Sequence, residues 1–155
     1  MLVSEYLDEN RVLLRERAEK ASLLADLVSC LASQCLIADS AAVLAAVLER
    51  EQQVSTGLGG GLAVPHARSS QVESLVAALA VVGEGLDFQA LDEQPVHVVL
   101  LFVSPESDAA AHLEFLAAVS AVFQASETVG RLARLADSSP AELLTELAAA
   151  ERTRT

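Results

Sequence analysis

Two aliphatic runs at residues 75–82 and 96–103 constrain the fold of this chain more than any other feature. Each is the length of a single strand and shows no alternation between polar and apolar positions, as expected of strands covered on both faces. Gly83-Glu84-Gly85 and Asp92-Glu93-Gln94-Pro95 punctuate them. A sheet buried on both sides needs a layer on each side, and the rest of the chain supplies helices. Leu23, Leu24, Leu27, Val28 and Leu31 recur at helical spacing over residues 19–34. Val43, Leu44, Val47 and Leu48 do the same over residues 40–51. Asp108 is a good N-cap for a helix running to about Phe123, and a short helix fits residues 128–136. Ser139-Pro140-Ala141-Glu142 combines a capping box with proline at the first helical position. Residues 151–155 are expected to fray. Val12-Leu13-Leu14 reads equally as an opening strand or the start of a helix. The expected fold class is α/β, a three-layer α/β/α sandwich with helices on either side of the strands.

With 155 residues, no linker and no internal repeat, residues 1–155 read as one domain. Hydrophobic residues make up 52% and aromatic residues only 3%, so the core is aliphatic and lacks the stacking platforms of single-strand nucleic-acid binders. The formal net charge of −12 repels nucleic acid and anionic membrane. It serves solubility, or the steering of a basic protein partner. Residues 1–17 are charged throughout and lack an apolar centre, so no secretory leader is expected. The longest purely apolar stretch, 75–82, is too short to cross a bilayer, so no membrane insertion is expected. Cys30 and Cys35 read as free core thiols on a helix, and a cytoplasmic location follows.

Residues 54–64 are short, Gly-rich and end at Pro65, which reads as two extended pieces around a glycine turn. Proline removes a backbone donor and holds Val64 extended, so strand pairing is expected to stop near His66 and leave it on a rim. His66 is then either a nucleophilic imidazole beside anion-binding loop amides or an ordinary surface histidine after a hairpin. Arg50 either complements the C-terminal end of its helix dipole or pairs with phosphate oxygens. Arg68 carries the same two readings more weakly. His112, in the first turn after Asp108, either sits near a bound anion or is satisfied locally. His97, inside a strand run, reads as structural or solvent-facing. No His-x-x-x-His or Cys-x-x-Cys pair suggests a metal, and residues 57–61 lack the ending of a P-loop. Ser104 precedes a proline and shows no nucleophile-elbow pattern.

Together these fragments resemble one known pattern. Leu48-Glu49-Arg50-Glu51, Ser55-Thr56-Gly57-Leu58-Gly59 and Gly61-Leu62-Ala63-Val64-Pro65-His66 are similar to the "RE…STGIG-x-GIAIPH" motif. That motif belongs to the enzyme IIA domain, fructose/mannitol and nitrogen-regulatory type, of the phosphoenolpyruvate-dependent phosphotransferase system. The likeness continues through Gly85-Leu86-Asp87-Phe88, Asp92, Pro95-Val96, Pro105, His112-Leu113 and Ser139-Pro140-Ala141-Glu142-Leu143. Leu58, Leu62 and Val64 stand where the motif has isoleucine. The resemblance implies an α/β/α sandwich with a mixed sheet, and no cofactor. It implies that His66 accepts a phosphoryl group from the carrier protein HPr, with Arg50 neutralising phosphate oxygens and His112 orienting the phosphorylated state. Thr56, Gly57 and Arg68 would shape the phosphate pocket. The onward partner would be an enzyme IIB during sugar uptake, or regulatory target proteins chosen by phosphorylation state.

Overall fold

The computed structural model describes residues 1–153. Among these residues, five α-helices and a six-stranded sheet form three layers. The strands are β1 (Val12–Arg15), β2 (Gly57–Gly59), β3 (Leu62–Ala63), β4 (His66–Ser69), β5 (Val76–Leu86) and β6 (Val96–Pro105). Helices α1 (Lys20–Ser33) and α2 (Ser40–Gln53) cover one face. Helices α3 (Ala109–Phe123), α4 (Ser126–Ala133) and α5 (Pro140–Arg152) cover the other. The sheet order is β1-β5-β6-β3-β2, with β4 also paired to β6. The pairs β5–β6 and β2–β3 are antiparallel, whereas β1–β5, β3–β6 and β4–β6 are parallel, so the sheet is mixed.

Each face is filled by alternate residues of the two long strands. Ala78, Ala80, Leu101 and Val103 point toward α1 and α2. Leu79, Val81, Leu100 and Phe102 point toward α3, α4 and α5. Small residues on the α1–α2 side let those helices lie close, while Phe102 and Phe115 fill the α3 side with their rings 4.8 Å apart. The two caps expected from the sequence are present, with the Asp108 and Ser139 side chains accepting from the Ala111 and Glu142 amides, and Asp39 caps α2 in the same way at Ala42.

Pairing does not stop at His66. β3 and β4 run along the same edge of β6 in one continuous register, Leu62 opposite Val98 and His66 opposite Phe102, with a gap only at Val64-Pro65. Proline lost its donor but kept its acceptor, and Pro65 O takes the Phe102 N–H at 3.1 Å. β5 likewise continues through Gly83-Glu84-Gly85 to Leu86, because a shift of register between Val81 and Leu86 absorbs the glycines. The short helix is Ser126–Ala133, ending where the Arg134 amide turns back to Gly130 O. Residues 12–15 form a strand parallel to β5.

The cysteines are not core thiols. Cys30 is half-buried with Sγ donating to Asn10 O at 2.8 Å, and Cys35 is exposed beyond the end of α1 at φ +60°. Nor does the chain fray at Glu151, which is buried in α5 and accepts from the Val3 and Ser4 amides at 2.6 and 3.2 Å. The remainder of that expectation, residues 154–155, lies outside the described residues. Among the described residues no single helix is long and apolar enough to cross a membrane.

Candidate functional site

At the β4 edge of the sheet, the C-terminal turn of α2 and the N-terminal turn of α3 leave a hollow of about 380 Å³. Ala46, Glu49, Arg50, Gln53, His66, Ala67, Arg68 and His112 line it. Four of the six residues expected from the sequence therefore meet in one place, although His66 and His112 are 46 residues apart. The reason is the β4–β6 register. His66 opposes Phe102, and His112 lies in the first turn of α3, which follows β6 after a three-residue connection.

The His66 ring stacks on Phe102, with centroids 5.2 Å apart and planes inclined by 16°. The His112 ring stands edge-on to His66 at 5.3 Å. Nδ1 of His66 lies 2.8 Å from Val64 O. A carbonyl only accepts, so Nδ1 carries the proton in the neutral ring and Nε2 holds the free lone pair. Stacking and this bond together fix both the plane and the tautomer of the ring.

Burial lowers the affinity of His66 for a second proton; the Val64 bond opposes that, the charge of Arg50 adds to it, and Glu51 works against it. The net direction is below the ordinary 6.5. His112 is also held below its ordinary value, by burial first and then by His66 and Arg68. Burial is the first cause in both rings, and the charges of Arg50 and Arg68 that add to it would also attract a phosphoryl group. Arg50 Nη1 donates to Val54 O at 3.0 Å and Arg68 Nη2 to Glu106 O at 2.9 Å, which use only part of each guanidinium.

Thr56 and Gly57 do not line the hollow. Thr56 is buried and turned toward Glu51, whose carboxylate accepts its amide at 2.7 Å and its hydroxyl at 2.6 Å. Lys20 Nζ stands 3.3 Å from the same carboxylate. Thr56 O in turn accepts the Val64 amide at 3.1 Å, so the run Glu51–Thr56–Val64 braces the carbonyl that holds His66. Gly57 is required by close approach: a Cβ there would stand 2.8 Å from the Ala90 Cβ. His97, as one sequence reading had it, is a structural residue bonded to Val82 O at 3.1 Å.

Sequence reasoning gave no role to Glu51, Phe102 or Ser104. Glu51 was findable, because it continues the Val43–Val47 spacing of four and so falls on the buried face of α2. Ser104 continues the 100–102 alternation of β6 toward α3, and its hydroxyl lies 2.6 Å from His112 Nδ1. Among the described residues, no three His, Cys, Asp or Glu side chains converge as a metal cage.

Over residues 5–148 the chain matches the family model described as phosphoenolpyruvate-dependent sugar phosphotransferase system, EIIA 2. The chain belongs to this family. Among its relatives, the PTS system fructose-specific EIIABC component of Bacillus subtilis is 33% identical over 128 residues, covering 82% of this chain. This EIIA 2 chain spans only 20% of that relative's length. A nitrogen regulatory protein of Pseudomonas aeruginosa is 30% identical over 113 residues, 73% of each chain. Among solved structures, the nitrogen regulatory protein IIA-Ntr from Neisseria meningitidis superposes with a TM-score of 0.79 at 27% identity, covering 94% of this chain and 98% of its own. The Escherichia coli complex of mannitol enzyme IIA with phosphorylated enzyme IIB gives 0.77 at 20% identity, covering 92% and 97%, and shows the fold alone.

Proposed function

We propose that this EIIA 2 protein is a cytoplasmic phosphocarrier that takes a phosphoryl group from an HPr-type carrier onto Nε2 of His66 and passes it to an enzyme IIB. The observation that carries this reading is the Val64 bond, which leaves Nε2 as the free nucleophile in a hollow with two guanidinium groups. In the step, the Nε2 lone pair attacks phosphorus, the donor's P–N bond breaks, and the donor nitrogen keeps the bonding pair. His66 retains its Nδ1 proton, so the phosphorylated ring gains positive charge, which Val64 O stabilises. Arg50 and Arg68 neutralise the phosphoryl oxygens, and His112 orients the group. Thr56 and Gly57 serve the pocket indirectly, by holding the loop that carries Val64. In a second displacement a IIB nucleophile attacks the same phosphorus and the Nε2–P bond breaks, the pair returning to Nε2; the fructose-specific EIIABC relative supports this onward step.

A second reading is a regulator that binds target proteins according to its phosphorylation state. The Pseudomonas aeruginosa nitrogen regulatory protein, 30% identical over 73% of this chain, supports it. Incubation with phosphoenolpyruvate, enzyme I and HPr tests both: label is expected on the wild type and absent from His66→Ala. An unlabelled wild type beside working partners rejects both readings. Label that chases onto a cognate IIB supports the sugar route, and phosphorylation-dependent target binding without that chase supports regulation.

A further inference from the structure

The hydroxyl of Ser104 belongs to no part of the phosphoryl-transfer scheme above, yet it is wholly buried and makes one hydrogen bond among the described residues, to His112 Nδ1 at 2.6 Å. We infer that Ser104 is a positioning residue whose hydroxyl sets His112 in the Nε2–H tautomer, so that His112 presents a hydrogen-bond donor to the phosphoryl group on His66. The bearing on phosphorylation rests on the proposed function; the tautomer does not.

A buried hydroxyl hydrogen needs an acceptor. Ser104 sits in β6 opposite Arg68, and the only acceptor its bonding offers is the Nδ1 lone pair. That lone pair exists only when the ring proton is on Nε2. In the other tautomer Nδ1–H would donate to the serine oxygen, and the serine hydrogen would be stranded in the interior. A protonated ring would strand it too, so Ser104 selects one state of three.

The result is a matched pair of rings. Val64 O makes His66 a ring with its proton on Nδ1 and a bare Nε2. Ser104 makes His112 the opposite, with a bare Nδ1 and a proton on Nε2. The two stand edge-on, with centroids 5.3 Å apart, in the same hollow. One ring supplies the nucleophile and its neighbour a neutral donor.

Nitrogen-15 NMR of the unphosphorylated protein reads the His112 tautomer directly. The wild type is expected to show Nε2–H with Nδ1 as acceptor, and Ser104→Ala a mixture of tautomers. Phosphoryl transfer through Ser104→Ala is expected to fall by about three- to tenfold, the worth of one oriented hydrogen bond. In a His112→Gln background, whose amide supplies its donor without Nδ1, Ser104→Ala is expected to cause no further loss. A purely structural role for Ser104 would leave its cost intact in that background and overturns the inference. So does a wild-type His112 protonated on Nδ1, or a Ser104→Ala protein with unchanged tautomer and transfer rate. A wild type that shows Nε2–H but takes no phosphoryl group rejects the proposed function and leaves the positioning of His112 standing.

Discussion

His66 is bound at one nitrogen and open at the other, and its acid–base behaviour follows from the same surroundings. Burial and the Arg50 charge keep the imidazolium form out of the fold, and burial, His66 and Arg68 do so for His112. NMR titration is expected to give midpoints below 6.5 for both rings. Linkage then fixes a sign. As pH falls through the unfolded value, the unfolded chain binds protons that the fold refuses, so stability falls until both folded midpoints are passed. Denaturant melts should thus show a loss of stability on the acid side of 6.5 that shrinks in His66→Gln; no change in that slope would mean the ring is not held neutral. For Arg50 the question is geometry rather than charge alone. Arg50→Ala is expected to shorten the life of the phosphorylated state by about tenfold, and Arg50→Lys to restore it only in part, since lysine lacks the fork that reaches two oxygens. Equal lifetimes in all three proteins would remove Arg50 from the site.

At the scale of elements, the segment from the end of α2 to β4 works as a brace, and its motif divides into two jobs. Arg50 and His66 face the hollow, while Glu51, Thr56 and Gly57 face inward and hold them. The motif was legible as a whole only through its resemblance to a known family, since the residues by themselves leave His66 open between a nucleophile and an ordinary surface histidine. The division was not, because which side of a loop a threonine faces depends on partners such as Lys20 and Ala90, which lie far along the chain. The strand runs 75–82 and 96–103 were legible for the opposite reason: burial on both faces leaves its mark residue by residue. At β4 the donor that proline lacks does not end the pairing, because the carbonyl of Pro65 itself accepts the Phe102 amide. Glu51→Ala strands the Thr56 amide and hydroxyl and removes the carboxylate paired with Lys20, which keeps its bonds to Phe88 O and Gln89 Oε1. It is expected to cost about 3 kcal/mol of stability and to slow labelling of His66 as the Val64 carbonyl loses its support. Thermal melts and labelling rates check both; full stability in Glu51→Ala would mean the brace is not real.

At the scale of the whole molecule, the two faces of the sheet are closed differently. On the α1–α2 side, helices seal a sheet face rich in alanine and valine. On the α3–α5 side, the chain's first turn completes the layer: Val3 is fully buried among Phe115, Leu143 and Leu147. That turn is fastened by Glu151, near the other end of the described chain, through the Val3 and Ser4 amides. A carboxylate receiving two backbone donors in a buried place is a strong clasp, and removing it leaves both donors without their partner. None of Val3, Ser4 and Glu151 lines the hollow around His66. Glu151→Ala is therefore expected to cost about 2 kcal/mol, a fall in Tm of roughly 4–8 °C for a domain of this size. Labelling of His66 at a temperature well below the transition should match the wild type. Deleting residues 1–4 should lower Tm at least as much, because it removes the Val3 side chain as well as the bonds. The combined variant should then be no worse than the deletion alone, since Glu151 has lost the partners it held. Additive losses would show that Glu151 stabilises α5 by some other contact, and slower labelling in Glu151→Ala would show that the clasp reaches the site.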